Sequence, residues 1–224
     1  MTEAAIGGRR ANRRGIASRD SMLEAAITSL ATGDPAAVSG NRIARDIGAT
    51  WGVIKYQFGD IDGLWAAVLR HTADKRGDLP ARANPVGTLR DRVSDLVHTM
   101  AAGLRTPESL AIETLRAALP RDHAELERDY PRTAAELASW KPRWDHACER
   151  TFADLHVDAV KVRQVAALLP AAMRGITSER TLGTYGNLDD ALDGLIGGIV
   201  AYLELGVSPV TPDGPDRPAG RDDA

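Results

Sequence analysis

The sequence predicts an all-α protein, and three observations predict it. Apolar residues recur every three or four positions through most of the chain, the period of a helix with one buried face. No stretch shows the strict alternation of a half-buried strand, and no repeat stands out. Aromatics are only 4% of residues while Ala, Leu and Val dominate, which suits helix-on-helix packing. At 224 residues the chain holds one large or two small domains and can bury a sizeable core.

Residues 1–17 read as a disordered basic arm, with Gly7-Gly8, Gly15 and four arginines. Ser18 opens a helix to about Thr32, with Met22, Leu23, Ala26, Ile27 and Leu30 as its buried stripe. Gly33-Asp34-Pro35 ends it. Residues 38–58 then read as two short helices around a tight turn. Ser39 is placed to cap the first, and Ile43, Ala44 and Ile47 give it an apolar face. Gly48 supplies the backbone freedom the turn needs. Thr50 is placed to cap the second, with Val53 and Ile54 turned inward and Phe58 closing the unit. Two helices joined in this way fit a helix-turn-helix, whose second helix enters the DNA major groove. An ordinary helical hairpin carries the same local pattern.

The order Ile43-Ala44, Gly48, Thr50, Gly52, Ile54, Phe58 and Leu64 resembles the DNA-binding domain of the TetR family of bacterial repressors. The resemblance covers about residues 18–70. Ile47 stands where Ala is usual, Lys55 for Tyr, Gln57 for His and Ile61 for Lys. Lys55 keeps a phosphate donor with different geometry; Ile61 removes one. The resemblance implies a helix-turn-helix DNA-binding domain over 18–60 and a helical ligand-binding and dimerisation domain over 61–206. A disordered tail with four prolines and two glycines follows over 207–224. The DNA-contacting candidates are Ser39, Arg42, Arg45, Thr50, Trp51, Gly52, Lys55 and Tyr56. Lys55 offers a cation to phosphate or guanine, and Tyr56 offers a hydroxyl to phosphate. Trp51 suits a thymine methyl or a sugar, with a partly buried core position as the alternative. Ser39 and Thr50 sit at helix N-termini that attract phosphate.

Beyond the head, Asp60 caps a helix to about Arg76 whose apolar face is Ile61, Leu64, Trp65, Val68 and Leu69. This helix would touch both regions and act as a lever between them. Gly77–Pro85 is rich in breakers, and Asn84-Pro85 starts a helix carrying Leu89, Val93, Leu96, Val97, Met100 and Leu104. Thr106-Pro107 starts another, to about Leu119. In 121–155 a helical stripe meets Pro142, so a kinked helix and two short helices both fit. Asp158 to about Thr177 is apolar on one side and bent at Pro170. The last helix runs over 188–205 with Gly194, Gly197 and Gly198 allowing close approach, and Gly206 ends it.

The resemblance further implies a cavity for a small hydrophobic ligand. Its candidate lining is Met100, Leu104, Leu115, Tyr130, Trp140, Trp144, Cys148 and Phe152, residue types that are each more often ordinary core. His98 and His146 are candidates to orient a polar group. It also implies a homodimer joined through 158–177 and 188–205, bound to a palindromic operator and released by an inducer. A DNA-binding regulator without a small-molecule effector, activating or partner-controlled, is the alternative. A helical enzyme or a carrier that has lost DNA binding is a more distant one.

Charge and motif narrow the rest. Net charge is −3, yet residues 1–19 hold five arginines against one glutamate, so a basic arm precedes an acidic body. The arm serves phosphate binding or solubility alike. No metal-ligand motif, phosphate-cradling Gly loop or nucleophile elbow is present, so no catalytic residue, metal or cofactor is expected. Asp145, His146, Cys148 and Glu149 lie together, but one short segment does not make a triad. One cysteine, no apolar run of ~18 residues and no secretory signal lead to a cytoplasmic expectation with no membrane partner.

Overall fold

The computed structural model describes residues 19–76, 87–184 and 187–205, and within them the regular structure is helical. Helix α1 spans 19–30 and is followed by a short 3-10 turn, Pro35–Ala37, capped by the Asp34 carboxylate. Helices α2 (Gly40–Asp46) and α3 (Trp51–Phe58) complete a three-helix head. Leu23, Ala26, Ile27 and Leu30 of α1 meet Ile43 and Ala44 of α2 and Ile54 and Phe58 of α3 in one core. Gly48 turns the chain between α2 and α3 at φ 65, where a side chain would be strained. Ser29 donates to the Asp46 carboxylate at 2.5 Å and ties α1 to α2.

Helix α4 (Ile61–Arg76) is buried nearly all round, not on one face. Leu64 through Leu69 are all buried, because the head packs on one side and other helices on the rest. Helix α5 (Leu89–Gly103) starts from Thr88, which forms a capping box with Asp91. The expected start at Asn84-Pro85 lies outside the described residues. Helix α6 (Pro107–Ala118) begins at the expected Thr106 cap, and its Ala111, Ile112 and Leu115 join the head's core. Helix α7 (His123–Asp129), capped by Asp122, fills part of the region the sequence left open.

Helix α8 (Pro131–Phe152) runs unbroken through Pro142, which decides between the two alternatives for that segment. Helix α9 (Ala159–Leu182) runs five residues past the expected end and stops at Gly183, whose φ of 71 gives a left-handed cap. Helix α10 (Leu188–Glu204) is capped by Asn187. Helices α5, α8, α9 and α10 share a second core built on Val97, Phe152, Leu169, Met173, Ile196 and Leu203. The basic arm, the breaker-rich loop, Gly206 and the tail fall outside the described residues.

Both ends of α8 are held by other helices. Tyr130 offers no side-chain cap and Pro131 has no N–H. The free N–H groups of Arg132 and Thr133 donate instead to the buried Asp62 of α4, each at 2.9 Å. The Arg132 side chain adds a bond to Asp62 at 3.1 Å, pairs with Asp60, and reaches the Phe58 carbonyl at 3.3 Å. At the far end, buried Arg92 of α5 donates to the Thr151 carbonyl at 2.8 Å and to Asp154 at 2.7 Å. A carboxylate at the N-terminus and a guanidinium at the C-terminus both suit the helix dipole. Midway, Arg70 of α4 grips the buried Glu136 at 2.9 and 3.1 Å.

Burial pushes the Asp62 carboxyl up, but the bonds from Thr133 and Arg132 outweigh it and hold the carboxyl below its ordinary range. Its stabilisation is therefore complete above the unfolded value of about 4 and is lost as pH falls through the folded value. Asp62→Ala is expected to cost about 2–3 kcal/mol in urea unfolding at pH 7, the worth of a cap plus a charged bond. The gap between wild type and Asp62→Asn should narrow below pH of about 4. A pH-independent gap would contradict this origin. Cys148, 1% exposed, has its thiol pushed up to about 12 by burial and then by Asp145 and Glu149. The native protein should resist a disulfide thiol reagent at pH of about 8 and react only on unfolding; rapid native labelling would show a different packing.

Candidate nucleic-acid interface and inner cavity

Helix α3 has a clean division of faces. Ile54 and Phe58, four apart, point into the core together with part of Trp51. Gly52, Val53, Lys55 and Tyr56 are exposed on the other side, Tyr56 at 87%. The inward placement expected for Val53 is thus corrected. Around the helix axis Val53 lies about 100° from Ile54 and about 140° from Phe58, on the side away from Trp51, and so outside the arc those three residues bury. Val53 and Tyr56, three apart, share the outer surface, and this spacing was the signal in the sequence for adding Val53 to the candidates.

The remaining candidates divide by local chemistry. Trp51 is half-buried, and its ring covers Gly40 so closely that a Cβ there would fall 2.3 Å from it. Thr50 and Ser39 occupy N-cap positions with extended backbones, yet neither hydroxyl closes its cap. The N–H groups they were expected to bind remain for solvent or an anion. Arg42 donates to both Asp46 oxygens at 3.1 Å, with Asp34 3.6 Å away. Arg45 is exposed, and its charge helps lower the Asp46 carboxyl, behind the larger effect of the Ser29 bond. Arg19, where α1 emerges from the basic arm, lies over the Phe58 ring at 5.0 Å. The start of α1 is therefore beside the C-terminal end of α3.

A cavity of about 650 Å³ lies among α4, α5, α6, α8 and α9. Of the sequence candidates, Met100, Leu104, Trp140 and Trp144 line it. Leu115 is fully buried in the first core, Cys148 and Phe152 in the second, and Tyr130 sits at the α7–α8 junction. His98 and His146 are exposed and off its wall; His98 bonds the Ser94 carbonyl at 2.8 Å. Sequence reasoning missed Ala166, Pro170 and Arg174, which lie four apart on one stripe of α9, beside the core stripe of Val165, Leu169 and Met173. Pro170 leaves the Ala166 carbonyl without its helical donor. The Trp144 indole N–H supplies one at 2.6 Å, and this bond fixes the Trp144 ring on the wall.

The polar groups of this wall are unequal. Lys141 pairs with one oxygen of Asp145, while the other is buried without a partner. Trp140 Nε1 is also buried without a partner. Arg174 is half-buried; burial lowers its guanidinium pKa, Arg116 lowers it further, and Glu113 partly opposes them. Among the described residues no group of His, Cys, Asp or Glu is arranged to hold a metal. No helix among them is long and apolar enough to cross a membrane.

No family model and no curated protein sequence matches the chain. Solved structures do. One from Rhodococcus sp., assigned to the TetR family of transcriptional regulators, is 22% identical with a TM-score of 0.59, over 83% of this chain and 97% of that one. The multidrug binding protein EbrR complexed with imidazole is 20% identical with a TM-score of 0.56, over 81% and 93%. A structure described as the molecular basis for control of antibiotic production by bacterial hormones is 19% identical with a TM-score of 0.55, over 84% and 98%. The chain is an all-helical protein with the TetR-type fold, a helix-turn-helix head followed by a helical body.

Proposed function

We propose that this chain is a ligand-responsive homodimeric transcriptional repressor that binds a palindromic DNA operator through α3 and is released by a small molecule. The observation that carries the reading is the outer face of α3. A rod with its apolar side locked into the head offers Lys55, Tyr56, Val53 and a bare Gly52 backbone outward. That surface matches what a major groove asks: a cation and a hydroxyl for phosphate or base edges, a small apolar group for a thymine methyl, and room for close approach. Arg45 and the uncapped starts of α2 and α3 add phosphate donors.

Self-association is supported by unpartnered apolar stripes. Leu168, Ala171, Gly175 and Leu182 lie exposed along α9, and Gly194, Gly198, Ala201 and Leu205 along α10. A Cβ added at Gly194 or Gly198 would meet nothing within 4 Å. Two such helices meeting their mates form a four-helix interface, and the resulting symmetry requires a palindrome. An effector role for the cavity is supported by its unsatisfied polar atoms and its place along α8, the helix whose first turn holds the end of α3. The structures it resembles include EbrR with imidazole and a regulator of fatty acid degradation from Bacillus halodurans, the latter at 16% identity and a TM-score of 0.51.

Selection of bound sequences from random DNA with the full-length protein should return palindromes with half-sites about one helical turn, or a near multiple, apart. Lys55→Ala should weaken binding roughly evenly across sequences and lower the slope of log affinity against log salt by about 1. An unchanged slope in this variant, or no enrichment at all, would count against the assignment. Gly198→Arg should leave the monomer folded but shift sedimentation at micromolar concentration from dimer to monomer and lower operator affinity at least about tenfold. A wild-type monomer at that concentration would sink the dimer.

A further inference from the structure

The cavity distributes its charges unevenly. Its wall carries four cations against three carboxylates. Asp145, next to Trp144 in the chain, already has a partner in Lys141. A cationic ligand would find that counter-charge taken. Arg174 is the opposite case: half-buried, it makes no hydrogen bond or ion pair within the described residues. Its closest charged company includes a second guanidinium, Arg116, only partly balanced by Glu113. A guanidinium that has left part of its water shell without gaining an anion is a receptor for one.

Two further atoms sharpen the fit. Trp140 Nε1 can only donate, and it is buried with nothing to donate to. It calls for an oxygen acceptor. The free Asp145 oxygen can only accept, and it calls for a donor such as a hydroxyl. Trp140 and Trp144 supply aromatic surface between these polar points, and the volume of about 650 Å³ lies in the range that accommodates a drug-sized molecule.

We propose that the cavity takes an amphiphilic organic anion, with its carboxylate on Arg174 and Arg116 and its apolar or aromatic body against Trp140 and Trp144. The proposal rests on the reading of the cavity as an effector site and names the chemistry of that effector. The ligand carries its negative charge at the α9 end and makes its remaining hydrogen bonds to the α8 wall.

Matched probes test it on the full-length protein: decanoate, decanol and decylammonium, and 2-naphthoate against 2-naphthylmethylammonium. Binding is read by tryptophan fluorescence and calorimetry, and operator release by mobility shift. The acids are expected to bind at least about tenfold more tightly than the cations, the scale of one charge-assisted bond. Arg174→Gln should weaken the acids by about tenfold or more while changing decanol by less than about twofold. Because Arg174 makes no bond of its own among the described residues, the variant's melting temperature should match wild type. A cation binding as tightly as its acid, or an acid indifferent to Arg174→Gln, overturns the proposal. If an amine or alcohol releases operator where the acids do not, the anion falls and the effector site stands. If no probe of any charge binds, both fall.

Discussion

The structure depends on how the first turn of α8 is capped. A helix beginning Tyr130-Pro131 has no cap of its own, and its free N–H groups would otherwise face the protein interior. Asp62 supplies the cap from another helix, seventy residues back in the chain. The same turn carries Arg132, whose side chain reaches the last turn of α3. Three elements therefore meet at Arg132 and its Asp62 partner: the end of α3, the start of α4 and the start of α8. With Arg92 closing the other end, α8 is a strut whose two termini are fixed by charge and whose middle forms the cavity wall.

Pro170 illustrates how a tertiary contact absorbs local cost. A proline inside a helix forfeits a bond and exposes a carbonyl. In α9 the forfeited carbonyl is Ala166, and Trp144 from α8 binds it. What reads locally as a defect is thus an inter-helix hydrogen bond that positions an aromatic ring. The charged groups of the cavity show the converse. Lys141 and Asp145 sit four apart on one helix and neutralise each other, a pairing that local geometry favours. Arg174 has no such neighbour on α9 and faces across the cavity instead.

The head was legible in the sequence because its signals are local. Gly48, the Ile43–Ala44 pair and the Ile54–Phe58 pair act over a few residues, and backbone geometry converts their spacing directly into faces. Val53 was misread because an apolar residue next to a core residue looks like core until its angle about the axis is counted. The hydroxyls of Ser39 and Thr50 were read from preference, and preference places a residue at a cap without fixing its rotamer. The course of α8 could not be read, because its cap is Asp62 and its clamp is Arg92, both distant in sequence. For the cavity, aromatic residues were the visible sign. Arg174 was not, since one of three arginines on an amphipathic helix gives no hint of what it faces.

These strengths constrain how a cavity ligand could act on the head. Coupling between two sites in a protein commonly amounts to about 1–3 kcal/mol. Breaking the Asp62 cap would consume about that much, leaving little to bias the head's position. A ligand acting through α8 would therefore have to leave the cap intact and move it. The first turn of α8, the start of α4 and the end of α3 would then shift as one piece. In that geometry the earlier expectation of α4 as the lever is incomplete: α4 and α8 are pinned together at Asp62 and again at Arg70–Glu136, so neither turns without the other. In the proposed dimer, the spacing of the two heads on DNA would be set by the angle of this pair, with the cavity wall at one end and Phe58 at the other.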